Sequence, residues 1–134
     1  MATLTPTLKL ESIDLTNDSL SLTTTGAITN ANLHTTGIAR RPITSTAKGT
    51  ASGQVTVYTA DDFAATAYVY VKNIDATATD YIYVYDDTTS GDPVILKLAG
   101  GDFAYLPTIA DKTLKAYATT SGTILEFAVF GTDQ

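Results

Sequence analysis

The residue best suited to acid–base chemistry in this sequence is its single histidine. His34 lies in Asn32-Leu33-His34-Thr35, a polar stretch with little periodicity. A general base needs a partner side chain and a pocket, and no carboxylate stands in a recognisable register with His34. No Gly-x-Ser-x-Gly motif supplies a nucleophile, and the chain has no cysteine. We therefore predict a structural or solvent-exposed histidine, no catalytic residues and no enzymatic activity.

Acidic clusters are the second candidates for chemistry. They are Asp61-Asp62, Asp75 with Asp80, and Asp86-Asp87 with Asp92. Paired carboxylates bind Ca²⁺ or act as acid and base in glycoside hydrolysis. All three clusters fall in predicted turns, where an aspartate side chain accepts hydrogen bonds from nearby backbone N–H groups. The sequence therefore favours turn chemistry, with calcium at the third cluster as the alternative, and we predict no metal and no cofactor.

Composition limits the classes of partner. The 134 residues suit one domain, and the net charge is −6. Residues 1–60 carry four basic and three acidic side chains, whereas residues 61–134 carry four and eleven. This acidic balance, without a basic stripe, argues against nucleic acid. No apolar run approaches the ~20 residues of a membrane helix, and the N-terminus does not resemble a signal peptide. We expect synthesis in the cytoplasm and no membrane partner.

Alternating patterns predict an all-β protein. From residue 54 onwards, short runs alternate between apolar and polar or aromatic residues, and Asp, Gly, Ser and Thr separate them. About eight or nine strands of this kind are typical of an antiparallel β-sandwich, and a jelly roll fits best. We predict one sandwich domain over residues 1–134. Within it, residues 1–25 are predicted to form an N-terminal arm or hairpin.

The segment 26–54 has a weaker pattern, because glycines punctuate it and its residues offer little to bury. It is predicted to be a long loop or arm, either mobile or ordered by a partner. Beyond it, the chain predicts three hairpins. They join 67–73 to 80–86, turn at Gly100-Gly101, and join 114–118 to 124–130.

Tyrosines provide the main candidate for an interface. If 67–73 pairs with 80–86, one face of that hairpin carries Tyr68, Tyr70, Tyr81, Tyr83 and Tyr85. Tyrosine is enriched at protein interfaces, so this face is predicted either to contact a partner or to be covered by a loop or sheet of the same chain. The basic pair Arg40-Arg41 is either a solvated loop or an anchor for an acidic partner.

Much of the second half resembles small virion proteins of tailed bacteriophages, notably those of marine bacteria. The segments that carry the resemblance are Tyr68-Val69-Tyr70-Val71-Lys72-Asn73, Tyr81-Ile82-Tyr83-Val84, the run from Ile95 to Pro107, Leu114-Lys115-Ala116-Tyr117-Ala118, and Leu125 to Phe130. The Thr- and Leu-rich start, Met1 to Leu8, is similar to the openings of such proteins. The family pattern more often has Gly-Glu where this chain has Gly101-Asp102.

The resemblance implies a β-sandwich that decorates the capsid or forms part of the tail. We expect a homotrimeric decoration or cement protein on the capsid surface of the virion, with the major capsid protein as its partner. A tail, baseplate or fibre-associated protein is the first alternative. A carbohydrate-binding module for host attachment, using the tyrosines, is the second.

Overall fold

The structure, a computed structural model, describes residues 1–15, 17–49, 52–60 and 62–132. Over these ranges the chain forms thirteen β-strands and no helix. The strands belong to two compact units, one covering residues 1–33 and one covering residues 34–134. The prediction of an all-β protein is confirmed.

The first unit is a two-stranded antiparallel ribbon. Its strands are β1 (Ala2–Leu4), β2 (Thr7–Ser12), β3 (Leu20–Thr25) and β4 (Ile28–Asn30). Strand β1 pairs with β4 and β2 with β3 in one continuous register, from Ala2 opposite Asn30 to Ser12 opposite Leu20. Between them the N–H of Gly26 donates to the carbonyl of Pro6 at 3.1 Å. Residues 2–12 and 20–30 are called the ribbon below. Within the segment 1–25, predicted to be an arm or hairpin, β2 and β3 pair, and the ribbon continues to Asn30.

The second unit is a sandwich of two antiparallel sheets. Its strands are β5 (Leu33–Thr35), β6 (Ala39–Ile43), β7 (Val55–Tyr58), β8 (Thr66–Asn73), β9 (Ile82–Asp86), β10 (Val94–Leu98), β11 (Phe103–Ile109), β12 (Leu114–Ala118) and β13 (Thr123–Thr132). A four-stranded sheet has the order β10-β9-β12-β7. A five-stranded sheet has the order β11-β8-β13-β5, and β6 pairs with the first half of β13.

This strand order is that of a jelly roll. From β6 onwards the two sheets read β6-β13-β8-β11 and β7-β12-β9-β10. Every connection from β6 to β13 crosses from one sheet to the other, except the one between β9 and β10. This double Greek key confirms the predicted jelly-roll-like sandwich.

Alternation along the strands builds the core. In β8, the fully buried Val69 and Val71 alternate with the partly exposed Tyr68 and Tyr70, and in β9 Ile82 and Val84 are fully buried. These side chains from both sheets belong to one apolar cluster. The outer residues of the two sheets therefore point away from each other.

The predicted hairpins of the second unit are wrong. Strand β8 pairs with β11 and β13, β9 pairs with β10 and β12, and β12 does not pair with β13. The turn at Gly101, whose φ is 89°, likewise joins strands of different sheets. Each of these three connections crosses the sandwich, and the period of two along a strand is the same whichever neighbour it pairs with.

The segment 26–54 also differs from the predicted loop or arm, because it contains β4, β5 and β6. Strands β5 and β6 pair with the ten-residue strand β13, whereas β4 pairs with β1 in the ribbon. Residues 44–49 and 52–54 connect β6 to β7; residues 50 and 51 lie outside the described part of the chain. The N–H groups of Thr44 and Ser45 both donate to the carbonyl of Gly53 at 2.9 Å. The described part of this loop is therefore held by its own chain.

Candidate interaction surfaces

One outer face of the sandwich is rich in aromatic and apolar side chains. We call it the aromatic face; it consists of Tyr68, Tyr70, Phe103, Tyr105, Pro107, Ile109 and Phe130 on the five-stranded sheet. Cross-strand pairing brings the three strands together, with Tyr105 opposite Tyr70, and Pro107 and Phe130 both opposite Tyr68. The inner residues Ala104 and Leu106 of β11 pack against the core, which directs the alternate residues of that strand outwards.

Exposure of the aromatic face is greatest along β11. The side chains of Phe103 and Ile109 are 61% and 62% exposed. The ring centroids of Tyr68 and Tyr105 lie 6.5 Å apart with an angle of 10° between the planes. Contiguous apolar surface of this kind is typical of interaction sites, whereas single exposed apolar residues are ordinary. The face is therefore a candidate binding surface.

A polar contact fixes the adjoining part of this sheet. The phenol of Tyr70 donates to Glu126 Oε1 at 2.8 Å, and Arg40 Nε donates to Glu126 Oε2 at 2.6 Å. These contacts from Arg40 and Tyr70 lower the pKa of the Glu126 carboxyl. Burial, and then the carboxylate, raise the pKa of Tyr70 to about 12. The tyrosine is thus held in its protonated, donating form.

Alkaline pH is expected to remove this contact. The pKa of Tyr70 is raised from 10.0 to about 12. The contribution of this tyrosine to the free energy of unfolding is therefore complete below pH 10 and is lost as pH rises towards 12. We expect Tyr70→Phe to be less stable than the wild type at pH 7–9, by on the order of 1 kcal/mol, with the difference shrinking above pH 10. Urea unfolding of both proteins from pH 7 to 12 measures it. A difference that does not change with pH would contradict this role.

The remaining predicted tyrosines lie on the opposite sheet. Tyr81 and Tyr83 are half-buried on its outer face, where the Tyr83 ring stacks on Tyr117 with centroids 5.1 Å apart. Lys97 Nζ lies 4.0 Å from the centroid of the Tyr81 ring. The five tyrosines therefore do not form one face, because β8 and β9 are in different sheets.

Tyr85 is fully buried, and it contacts both Tyr117 and the loop between β6 and β7. Its phenol donates to Gln54 Oε1 at 2.6 Å and accepts from the Gly49 N–H at 3.3 Å. Lys48 Nζ, in the same loop, donates to the carbonyls of Gly91 and Asp92. The tyrosines were predicted either to contact a partner or to be covered by the same chain, and Tyr85 is covered by the same chain.

Removal of the Tyr85 hydroxyl is expected to loosen this loop. Tyr85→Phe removes both contacts, and each hydrogen bond of this kind contributes about 1 kcal/mol. We expect faster amide hydrogen exchange at residues 47–49 and little change in β8, measured by mass spectrometry. Tyr83→Phe, on the same strand, is the control. Equal exchange in both variants would show that the hydroxyl does not anchor the loop.

The basic pair Arg40-Arg41 lies on β6, in a strand rather than in the predicted solvated loop. Arg40 binds Glu126 of its own chain, as described above. Arg41 lies opposite Leu125 and lines a groove of about 610 Å³ between β6 and β7, together with Val57 and Phe127. Arg40, predicted as a possible anchor for an acidic partner, thus binds an acidic side chain of its own chain, and Arg41 lines a groove.

The candidate chemical residues occupy structural positions. The ring of His34 stacks on Phe63 with centroids 5.0 Å apart. Asp62 Oδ2 accepts from the Thr59 N–H at 2.8 Å, and Asp75 Oδ1 accepts from the Thr77 N–H at 2.9 Å. These are the turn contacts predicted for aspartate; Asp61 lies outside the described residues.

The third acidic cluster has the same character. Asp86 accepts from the Thr88 N–H at 2.7 Å and from Thr89 Oγ1 at 2.5 Å. Burial acts to raise the pKa of Asp86, but these hydrogen bonds and Lys112 outweigh it, so the pKa is lowered. Asp87 pairs with Lys115 at 2.5 Å. Among the described residues, no group of three or more His, Asp or Glu side chains is arranged to hold a metal ion.

Part of the aromatic face differs from the interface predicted from the sequence. Phe103, Pro107, Ile109 and Phe130 were not among the predicted interface residues. A signal was present in β11, where Phe103, Tyr105, Pro107 and Ile109 alternate with Ala104, Leu106 and Thr108. Both sets contain apolar residues, so the pattern does not say which set faces the core.

Comparisons with protein families, with curated proteins and with solved structures find no match for this chain. In the part of the chain that the structure describes, no helix is long and apolar enough to cross a membrane. The resemblance to phage virion proteins stays a prediction.

Proposed function

We propose that this protein is a non-enzymatic virion protein that coats the head shell of a tailed bacteriophage as a decoration or cement protein. The observation that carries the proposal is the aromatic face, with Phe103 and Ile109 more than half exposed on an ordered sheet. Its partner would be the major capsid protein. The jelly-roll topology adds support by analogy, since viral capsid and lectin domains use the same fold.

The mechanism of such a protein is thermodynamic. A protein that binds the assembled shell, but not its separated subunits, shifts the equilibrium towards the shell. A head repeats its sites many times, and a self-associating protein binds several of them at once, so weak contacts add up. A rigid sandwich face suits this role, because little conformational entropy is lost when it binds.

Substitution of the face is expected to weaken shell binding. The double variant Phe103→Ser with Ile109→Ser removes two exposed apolar side chains from the contact. We expect it to lose about 2 kcal/mol of binding free energy in total, which lowers the affinity roughly thirtyfold. Binding is measured by cosedimentation with heads of the encoding virus that lack the protein. The control is Val94→Ser with Ile95→Ser, which changes two residues that are each 43% exposed on the other sheet. Unchanged binding by the first variant, with its urea midpoint preserved, would contradict the proposal.

Carbohydrate binding is the second candidate function. The stacked Tyr68 and Tyr105 rings favour it, because exposed aromatic faces pack against sugar rings and lectins use jelly rolls. A glycan array separates the two functions. A glycan bound by the wild type and not by Tyr105→Ala would favour carbohydrate binding, and an array without a bound glycan would count against it.

A further inference from the structure

The ribbon has two different faces. Residues directly opposite each other, and residues two apart on one strand, share a face. One face is apolar and consists of Leu4, Leu8, Leu10, Leu20, Leu22 and Ile28. The opposite face carries threonines, including the hydroxyl pairs Thr3–Thr29 and Thr7–Thr25, each 3.1 Å apart.

The apolar face has no second layer within its own unit. Its four central leucines, Leu8, Leu10, Leu20 and Leu22, remain 38–47% exposed. An isolated two-stranded hairpin is only marginally stable in water, and three or more strands with a buried face are needed for independent stability. The ribbon therefore requires a further layer or further strands.

Among the described residues no other strand pairs with the ribbon, so both of its edges are open. The bond from the Gly26 N–H to the Pro6 carbonyl marks 6 and 26 as a hydrogen-bonded pair. Since such pairs alternate along an antiparallel ladder, the even-numbered residues bond across the ribbon. The N–H and C=O groups of odd-numbered residues, such as Lys9 and Thr23, then point outwards. Each ribbon thus presents two edges able to pair with another strand.

The charges of the ribbon do not oppose contact between copies. Over residues 2–12 and 20–30 the charged side chains are Lys9 and Glu11. They form an ion pair at 3.0 Å on the threonine face. The apolar face therefore carries no charge, and copies can bring these faces together without like-charge repulsion.

We propose that three copies of this chain close their ribbons into a six-stranded antiparallel barrel around a three-fold axis. When the hairpins point the same way, the open edge of β2 in one copy meets the open edge of β3 in the next, and these strands are antiparallel. The six apolar side chains of each ribbon then fill the interior of the barrel, and no edge is left open.

Area favours three copies over two. A strand rises about 3.4 Å per residue, so an eleven-residue ribbon is roughly 37 Å long and about 10 Å wide. One face is then about 370 Å², roughly half of the ~800 Å² per partner that a specific interface buries. Two ribbons face to face leave all four edges unpaired. Three are the smallest number that buries each apolar face and pairs each edge.

This inference rests on the proposed function in one respect, the self-association of the protein. Binding to the shell is tested separately by the cosedimentation experiment. The experiment combines sedimentation velocity of the full chain with amide hydrogen exchange. We expect a species of three times 14.1 kDa, in which the outward amides of residues such as Lys9 and Thr23 exchange at least tenfold more slowly than in diluted monomer. Leu10→Asn with Leu22→Asn, which lie opposite each other, is expected to give monomers.

The control is Thr7→Asn with Thr25→Asn, an opposite pair on the polar face, which is expected to remain trimeric. A wild type that stays monomeric, dimeric or tetrameric would overturn the inference. A wild-type trimer whose outward amides exchange freely would also overturn it, as would a trimer that survives the leucine substitutions. The hydrogen-exchange measurement on the wild type tests the inference even if the substituted proteins do not fold.

Discussion

Asn73→Asp is expected to lower the free energy of unfolding by about 4 kcal/mol. Asn73 is fully buried at the end of β8. Its Nδ2 donates to the carbonyls of Asp80 at 2.6 Å and Leu98 at 3.1 Å, and its Oδ1 accepts from the Asp75 N–H at 3.0 Å. A carboxylate would lose both donors and place its charge against two carbonyl oxygens in the interior.

Urea unfolding with linear extrapolation measures this effect. Asp75→Asn is the matched control, because it exchanges the same two side chains two residues away. The asparagine oxygen can still accept the Thr77 N–H bond, so we expect a change within about 0.5 kcal/mol. If Asn73→Asp and Asp75→Asn were equally stable, the buried hydrogen bonds of Asn73 would not hold the connection between β8 and β9.

Gly100→Ala is expected to cost about 3 kcal/mol, because the turn after β10 packs directly on the connection between β8 and β9. A Cβ at Gly100 would overlap the carbonyl oxygen of Thr77, and it would lie 2.8 Å from the Thr77 carbonyl carbon and 2.9 Å from the Asp75 oxygen. These are backbone atoms, so they cannot move aside as a flexible side chain can. The two connections would have to separate.

Two other glycines serve as controls for Gly100. Gly101→Ala meets no atom within 4 Å but has a φ of 89°, so we expect a cost of about 1 kcal/mol from backbone strain alone. Gly26→Ala also meets nothing within 4 Å, and we expect little change. Thermal and urea unfolding of the three variants give the comparison. A Gly100→Ala protein as stable as Gly101→Ala would show that the two connections do not pack closely.

Both effects arise at the end of the sandwich where several connections meet. The Asn73 carbonyl accepts from the Gly101 N–H at 2.9 Å, and the Asn73 N–H donates to the carbonyl of Asp102, also at 2.9 Å. In the same region Thr120 Oγ1 donates to Asp80 Oδ1 at 2.8 Å. These bonds tie the two sheets together at this end of the sandwich.

Strand type and fold class could be predicted from the sequence, because they depend on local alternation. The segments 67–73, 80–86 and 114–118 form strands whose ends lie within two residues of the predicted bounds. Strand pairing could not be predicted in the same way. The connection 74–81 is short enough for a hairpin, and only packing of Val69 and Val71 against Ile82 and Val84 shows that the strands face each other.

The predicted interface residues illustrate the same limit. Tyr68 and Tyr70 are on an outer face because Val69 and Val71, which alternate with them, are better core residues, and this was predictable from the sequence. Tyr85 has the same pattern around it, yet it is buried, and its phenol bonds to Gly49 and Gln54 in a loop without a pattern of its own. Polar cover of this kind depends on contacts between distant segments, and alternation carries no information about it.

The proposed coating of a phage head is tested by a cryo-electron microscopy reconstruction of purified phage particles that contain this protein. We expect jelly-roll density at every repeated position of the head surface, with the aromatic face, including Phe103 and Ile109, turned towards the shell. A head surface without this density, or a few copies confined to the tail, would contradict it.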